Sequence, residues 1–205
     1  MKLYYAPGTC AVGVWIAMAW ADADVSAVRV DYSDPAYKKI NPLGLVPAVD
    51  IGGARPMTEL AAILDYLSER YADKDLGADD SIEDRFLYNE TKSFLSSDFH
   101  PAFGAVFGPS RFTMATDDEA VEKVKKAGYI KVDGVMTHLN DHIIGDNEHI
   151  YKNKKTFLDA VAYVMVRWSR FTPKSWEQYP NIQRFMAMMD ADESVQKIIQ
   201  ESEKE

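Results

Sequence analysis

Hydrophobic and polar positions change their period partway along the chain. Residues 2–5 form a short apolar run, 10–23 carry Ala, Val, Trp, Ile and Met at helical spacing, and 25–31 alternate Val28 and Val30 with Arg29 and Asp31. That order predicts a β-α-β unit. Residues 46–51 then read as a strand, Gly52-Gly53 as a hairpin turn and 55–57 as its return, with Thr58 as the N-cap of a helix to about Tyr71. A right-handed crossover in the first unit and a hairpin in the second give a four-stranded mixed sheet with helices on its faces.

From about Ser81 the strand pattern stops. Amphipathic stretches at 83–99, 117–144, 157–171, 181–190 and 195–201 are separated by Gly, Pro, Asn and Asp. Thr116-Asp117-Asp118-Glu119 and Thr156-Phe157-Leu158-Asp159 each have the form of a capping box. The expected class is therefore α/β plus all-α, in the order βαβ-ββα and then helices. Residues 1–73 are expected to form the first domain, 74–80 a polar linker and 81–205 an all-helical domain.

Composition narrows the function. The 205 residues are 47% hydrophobic and 27% charged, enough apolar material for a packed core. No stretch approaches 18 consecutive apolar residues, and the initial run breaks at Ala6-Pro7-Gly8. A soluble, cytoplasmic protein without a membrane partner is expected. The net charge of -9, with no basic cluster to reverse it locally, argues against a nucleic-acid partner. One cysteine, Cys10, and four scattered histidines offer neither a disulfide nor a metal-binding cluster, so no metal is expected.

Three features carry candidate chemistry. Cys10 follows a short turn at the start of a helix, where unpaired N–H groups stabilise a thiolate and lower its pKa from about 8.5. The competing reading is a small buried hydrophobe. Leu45-Val46-Pro47 opens a strand where proline suits an edge or a cis bond, leaving the Val46 backbone to pair with an extended peptide; an ordinary turn is the other reading. Glu59 is expected in a first helical turn, where it either complements the macrodipole or holds a ligand's ammonium. Together the three describe a site for a small thiol peptide bearing a free amine.

The ordered set Lys2-Leu3-Tyr4-Tyr5, Pro7-Gly8-Thr9-Cys10, Asn41-Pro42-Leu43-Gly44-Leu45-Val46-Pro47-Ala48, Thr58-Glu59 with Ala62-Ile63 and Tyr66-Leu67, His100, and Phe157-Leu158-Asp159-Ala160 with Arg167-Trp168 resembles the cytosolic glutathione S-transferases. It is most similar to the bacterial beta class, which has a cysteine at the place of Cys10. The resemblance spans nearly the whole chain. It implies a thioredoxin-like N-terminal domain, a C-terminal helical bundle, a homodimer, and glutathione as co-substrate. It also implies that Thr9 and Cys10 lie beside the glutathione sulfur. Leu45, Val46 and a cis Pro47 would then pair with the cysteinyl backbone, and Glu59 and Leu60 would hold the γ-glutamyl end. His100 matches a histidine near the thiol, with Ser93 and Ser97 on the same expected helical face. Tyr5 corresponds to the strand from which other classes draw a catalytic tyrosine, although sharing a face with Leu3 suits packing. Asp159 matches the family's buried capping box and is structural.

The sequence also departs from the family. Leu60 stands where a serine or other small residue is common, Trp15 where histidine is frequent, and the segment 31–40 is short, with Lys38 or Lys39 in place of the usual lysine. Three activities fit this set. Glutathione thiolate attacks a small apolar electrophile; Cys10 exchanges disulfides with glutathione; or the chain is a non-catalytic binding or scaffold protein. Phe103, Phe107, Phe112, Met114 and Trp168 suit an apolar electrophile pocket and equally a core.

Overall fold

The computed structural model describes residues 1–204. Four strands, β1 (Lys2–Tyr5), β2 (Ser26–Arg29), β3 (Ala48–Asp50) and β4 (Met57–Thr58), form one mixed sheet in the order β2-β1-β3-β4. β1 and β2 run parallel with Leu3 opposite Ala27, while β1 and β3 run antiparallel with Leu3 opposite Val49. The expected topology is present. The strands are shorter than the apolar runs suggested, because Val46, Pro47 and Ile51 fall outside the ladder.

Among the described residues ten α-helices surround and extend the sheet. Helix α1 (Cys10–Trp20) crosses between β1 and β2, α2 (Tyr37–Ile40) leads to the loop before β3, and α3 (Leu60–Arg70) comes after β4. The helical half contains α4 (Ile82–Ser93), α5 (His100–Ala102), α6 (Gly104–Phe107), α7 (Asp118–His138), α8 (Phe157–Val166), α9 (Pro180–Asp190) and α10 (Glu193–Ser202). The short helices α2, α5 and α6 have no counterpart in the sequence pattern; about one turn leaves too few positions for a period to show. Two six-residue π turns, Phe94–Phe99 and Leu139–Ile144, continue α4 and α7 and shift the helical phase of the residues within them. Caps shift by one residue. Asp117, not Thr116, caps α7 by accepting from the Ala120 N–H at 2.8 Å, and Glu59, not Thr58, occupies the N-cap position of α3.

Helix α1 joins the two halves. It is apolar nearly all round, as a helix covered on every side must be; Ala11, Val14, Ile16, Ala17 and Met18 are fully buried. It packs against α3 on one side and α8 and α10 on the other. The α1–α8 approach is so close that a Cβ on Gly13 would lie 2.7 Å from the Val161 Cα. At the start of α8, Thr156 and Asp159 form the expected capping box, and Asp159 accepts from the Thr156 N–H at 2.7 Å and the Ile150 N–H at 3.0 Å. The N-terminus of α1, with Cys10, is thereby fixed in a rigid core.

Candidate active site

The turn before Cys10 is held from both halves of the chain. Gly8 takes a positive φ of 69°, which glycine adopts without strain. Its carbonyl accepts from Trp168 Nε1 at 2.6 Å, while Thr9 Oγ1 donates to the Ala6 carbonyl at 2.7 Å. Cys10 begins α1 as expected, and its Sγ–H donates to the Val46 carbonyl over 3.8 Å. The thiol's charge state reverses the expectation. Burial pushes its pKa up to about 12, outweighing the lowering effect of the Cys10 and Ala11 N–H groups at the helix start. Burial and the contact with the Val46 carbonyl both favour a protonated donor over a thiolate.

The loop opposite Cys10 is braced from inside. Buried Asn41 donates from Nδ2 to the Leu45 carbonyl at 2.7 Å, and Tyr37 Oη donates to the same oxygen at 2.7 Å. Leu45 is thus turned outward, 60% exposed, and Val46 is presented ahead of a cis Val46–Pro47 bond. Glu59 takes a φ of 71°, a sparsely populated conformation for a side-chain-bearing residue that recurs at binding sites. Its carboxylate caps nothing and has no hydrogen-bond or ion-pair partner among the described residues. Complementing the macrodipole does not account for that backbone.

Two cavities meet at Cys10. A cleft of about 300 Å³ is lined by Pro47, Glu59, Leu60, Ala61, Ser96 and Ser97, and a larger one of about 780 Å³ by Thr9, Tyr32, Phe107, Trp168 and Phe171. Cys10, Leu45, Val46 and His100 line both. His100 packs edge-on against Trp168 with ring centroids 5.0 Å apart, and burial lowers its pKa, which keeps it neutral at pH 7. Ser93 is exposed and lines neither cavity: the π turn between Ser93 and His100 carries Ser93 off the face that Ser96, Ser97 and His100 turn to the cleft. Tyr5 is buried against Trp15, with ring centroids 4.9 Å apart, and also lines neither. Of the aromatic candidates, Phe107 and Trp168 reach the larger cavity, whereas Phe103 is buried and Phe112 and Met114 are exposed and outside its lining. Asn41, Tyr32 and Ser96 were not expected. Only Asn41 lay within a recognised motif.

Among the described residues no cluster of three His, Cys, Asp or Glu could hold a metal, and no helix is long and apolar enough to cross a membrane.

Residues 8–70 match the glutathione S-transferase N-terminal domain family. A glutathione S-transferase of Xanthomonas campestris pv. campestris is 27% identical over 203 residues, covering 98% of each chain. The bacterial beta-class glutathione S-transferase of Sphingomonas chungbukensis superimposes with a TM-score of 0.86 at 27% identity, covering 99% of each chain. A sphingomonad glutathione S-transferase complexed with glutathione gives a TM-score of 0.85 at 27% identity over 98% of each chain.

Proposed function

We propose that the chain is a cytosolic glutathione S-transferase, similar to the bacterial beta class, and that it conjugates glutathione to small electrophiles at the junction of its two cavities. The observation that carries this reading is the arrangement around the smaller cleft. The unpaired Glu59 carboxylate and the free N–H groups of Leu60 and Ala61 stand at one end, and the Val46 edge and Cys10 thiol at the other. A γ-glutamyl group places an ammonium on Glu59 and its carboxylate on the α3 N-terminus, where backbone N–H groups serve without a serine at position 60. The cysteinyl backbone then pairs with Val46, and its sulfur comes to Cys10, facing the larger cavity.

In the reaction the glutathione thiol loses its proton to water and the thiolate sulfur attacks the electrophilic carbon; a C–S bond forms and the leaving group departs with its bonding pair. Holding the thiol mostly ionised at pH 7 requires about 2 pKa units, or roughly 2.7 kcal/mol. The α1 N-terminus supplies about 1 kcal/mol, up to about 2 in a partly buried site. The Cys10 S–H, turning from the Val46 carbonyl to the thiolate as the cysteinyl N–H takes that oxygen, adds about 0.5 to 1.5 kcal/mol. Together they reach that figure only with the larger, partly buried helix contribution. The raised pKa of Cys10 favours this donor role over nucleophilic disulfide exchange, which needs its thiolate.

Retention on immobilised glutathione and conjugation of chlorodinitrobenzene test the reading; retention without turnover would make the chain a binding protein. Cys10→Ala is expected to keep conjugation within about tenfold, the range of one neutral hydrogen bond, and a thousandfold loss in a folded variant would show the thiol does more. Glu59→Gln is expected to weaken glutathione binding by calorimetry at least about tenfold, or roughly 1.4 kcal/mol. Unchanged affinity would remove Glu59 from the site.

We further propose a cytosolic homodimer, with residues 1–73 as the glutathione-binding domain and 81–205 as the helical one. Ile82 and Phe86 are 81% and 65% exposed on one face of α4, apolar surface suited to a second copy.

A further inference from the structure

Glutathione conjugation accounts for the smaller cleft but not for the charge around the larger one. Arg111, Lys125 and Arg170 line that cavity from three separate elements, the 3-10 turn Pro109–Phe112, helix α7 and the 3-10 turn Arg167–Phe171. Among the described residues no Asp or Glu lines it, in a chain with 32 acidic and 23 basic residues. None of the three cations makes an ion pair or side-chain hydrogen bond among the described residues, so no acid of the chain neutralises the charge they bring to this cavity. The smaller cleft has no Lys or Arg in its lining. The positive charge is therefore on the electrophile's side of Cys10.

The wall beneath these cations is aromatic. Phe107 packs edge-on against both Trp168 and Phe171, with ring centroids 5.8 Å apart in each pair, and the Arg170 guanidinium carbon lies 4.9 Å from the Phe171 ring centroid. Such a surface holds a flat apolar body, and unpaired guanidinium and ammonium groups at its edge hold an anion. Three cations that converge from separate elements on one cavity without an acid in its lining point to a ligand that brings the opposite charge.

Resting on the conjugation reading, we propose that the electrophile is an anion: an aromatic compound bearing a carboxylate, which Arg111, Lys125 and Arg170 hold while the carbon under attack lies beside Cys10. With an aryl chloride, the glutathione thiol proton passes to water, the thiolate sulfur bonds to the ring carbon, and chloride leaves with the bonding pair. The carboxylate is unchanged by the reaction. Its contribution is to orient the ring and to discriminate against uncharged electrophiles.

The test compares chlorodinitrobenzoate with chlorodinitrobenzene, each kcat/KM divided by its uncatalysed rate with glutathione. The protein is expected to favour the carboxylate, and the preference to shrink at high ionic strength as exposed charges are screened. In the double variant R111Q/K125Q the ratio of the two values is expected to fall about tenfold. In K126Q, an exposed neighbour on α7 that lines neither cavity, the ratio is expected to stay the same. Equal losses with both electrophiles would assign the cations to the thiolate, and weaker glutathione binding of the same size would assign them to the tripeptide; either result overturns the proposal. So does an unmutated protein without preference for the carboxylate. Turnover of neither compound would remove the conjugation reading instead. Calorimetry would then decide the rim: dinitrobenzoate binding at least about fivefold tighter than dinitrobenzene supports it, and equal binding overturns it.

Discussion

Asp159→Ala is expected to lower the free energy of unfolding by about 4 kcal/mol in urea titrations, although the residue touches neither cavity. Asp159 is fully buried and accepts from the backbone N–H groups of Thr156 and Ile150. Removing it leaves two buried donors without partners, each costing about 1 to 3 kcal/mol. A domain's net stability is about 5 to 15 kcal/mol, so the loss is a large share of the total. Asp159→Asn keeps the volume and one acceptor and is expected to cost about half as much. The effect concentrates on α8, whose ten residues are all buried and which packs against α1 at Gly13. A loss below about 1 kcal/mol in the alanine variant would mean that the capping box does not hold this seam.

The sequence disclosed those parts of the fold whose causes are local. Period-two and helical spacing located four strands and the long helices, and Thr156 with Asp159 located a cap, because each depends on residues within one or two turns. Of the site, Cys10 at a helix start, the Val46–Pro47 edge and Glu59 at the head of α3 were legible for the same reason. The misplaced features depend on residues distant in sequence. Ser93 was displaced by a π turn that no composition rule marks. Asn41 acts through a carbonyl four positions away inside a loop that α2 supports. Arg111, Lys125 and Arg170 form a rim only because three elements converge on one cavity. At 59, the acidic residue was legible but its positive φ was not; that conformation frees the carboxylate from any capping role.

Cys10 shows the same division within one residue, and its labelling kinetics are the second large effect. Iodoacetamide at pH 7.5 is expected to alkylate it at least about a thousandfold more slowly than a free cysteine. A thiol with pKa near 8.5 is about 10% ionised there, and one pushed up to about 12 is ionised to roughly 0.003%. The helix start acts from the adjacent Cys10 and Ala11 N–H groups and favours the thiolate. Burial comes from everything packed around α1 and favours the thiol, and it is the larger influence. Because the folded chain keeps this proton at pH values where the unfolded chain releases it, the thiol's contribution to stability is complete below about pH 8.5. It is lost progressively as pH rises toward 12. Alkylation of the folded protein should therefore rise about tenfold per pH unit and keep rising past about pH 9, where a free thiol levels off. Saturating glutathione should slow it further, since the ligand's sulfur covers the same atom. A labelling midpoint below 8.5 would show that the helix terminus outweighs burial, and would restore Cys10 as a nucleophile for disulfide exchange.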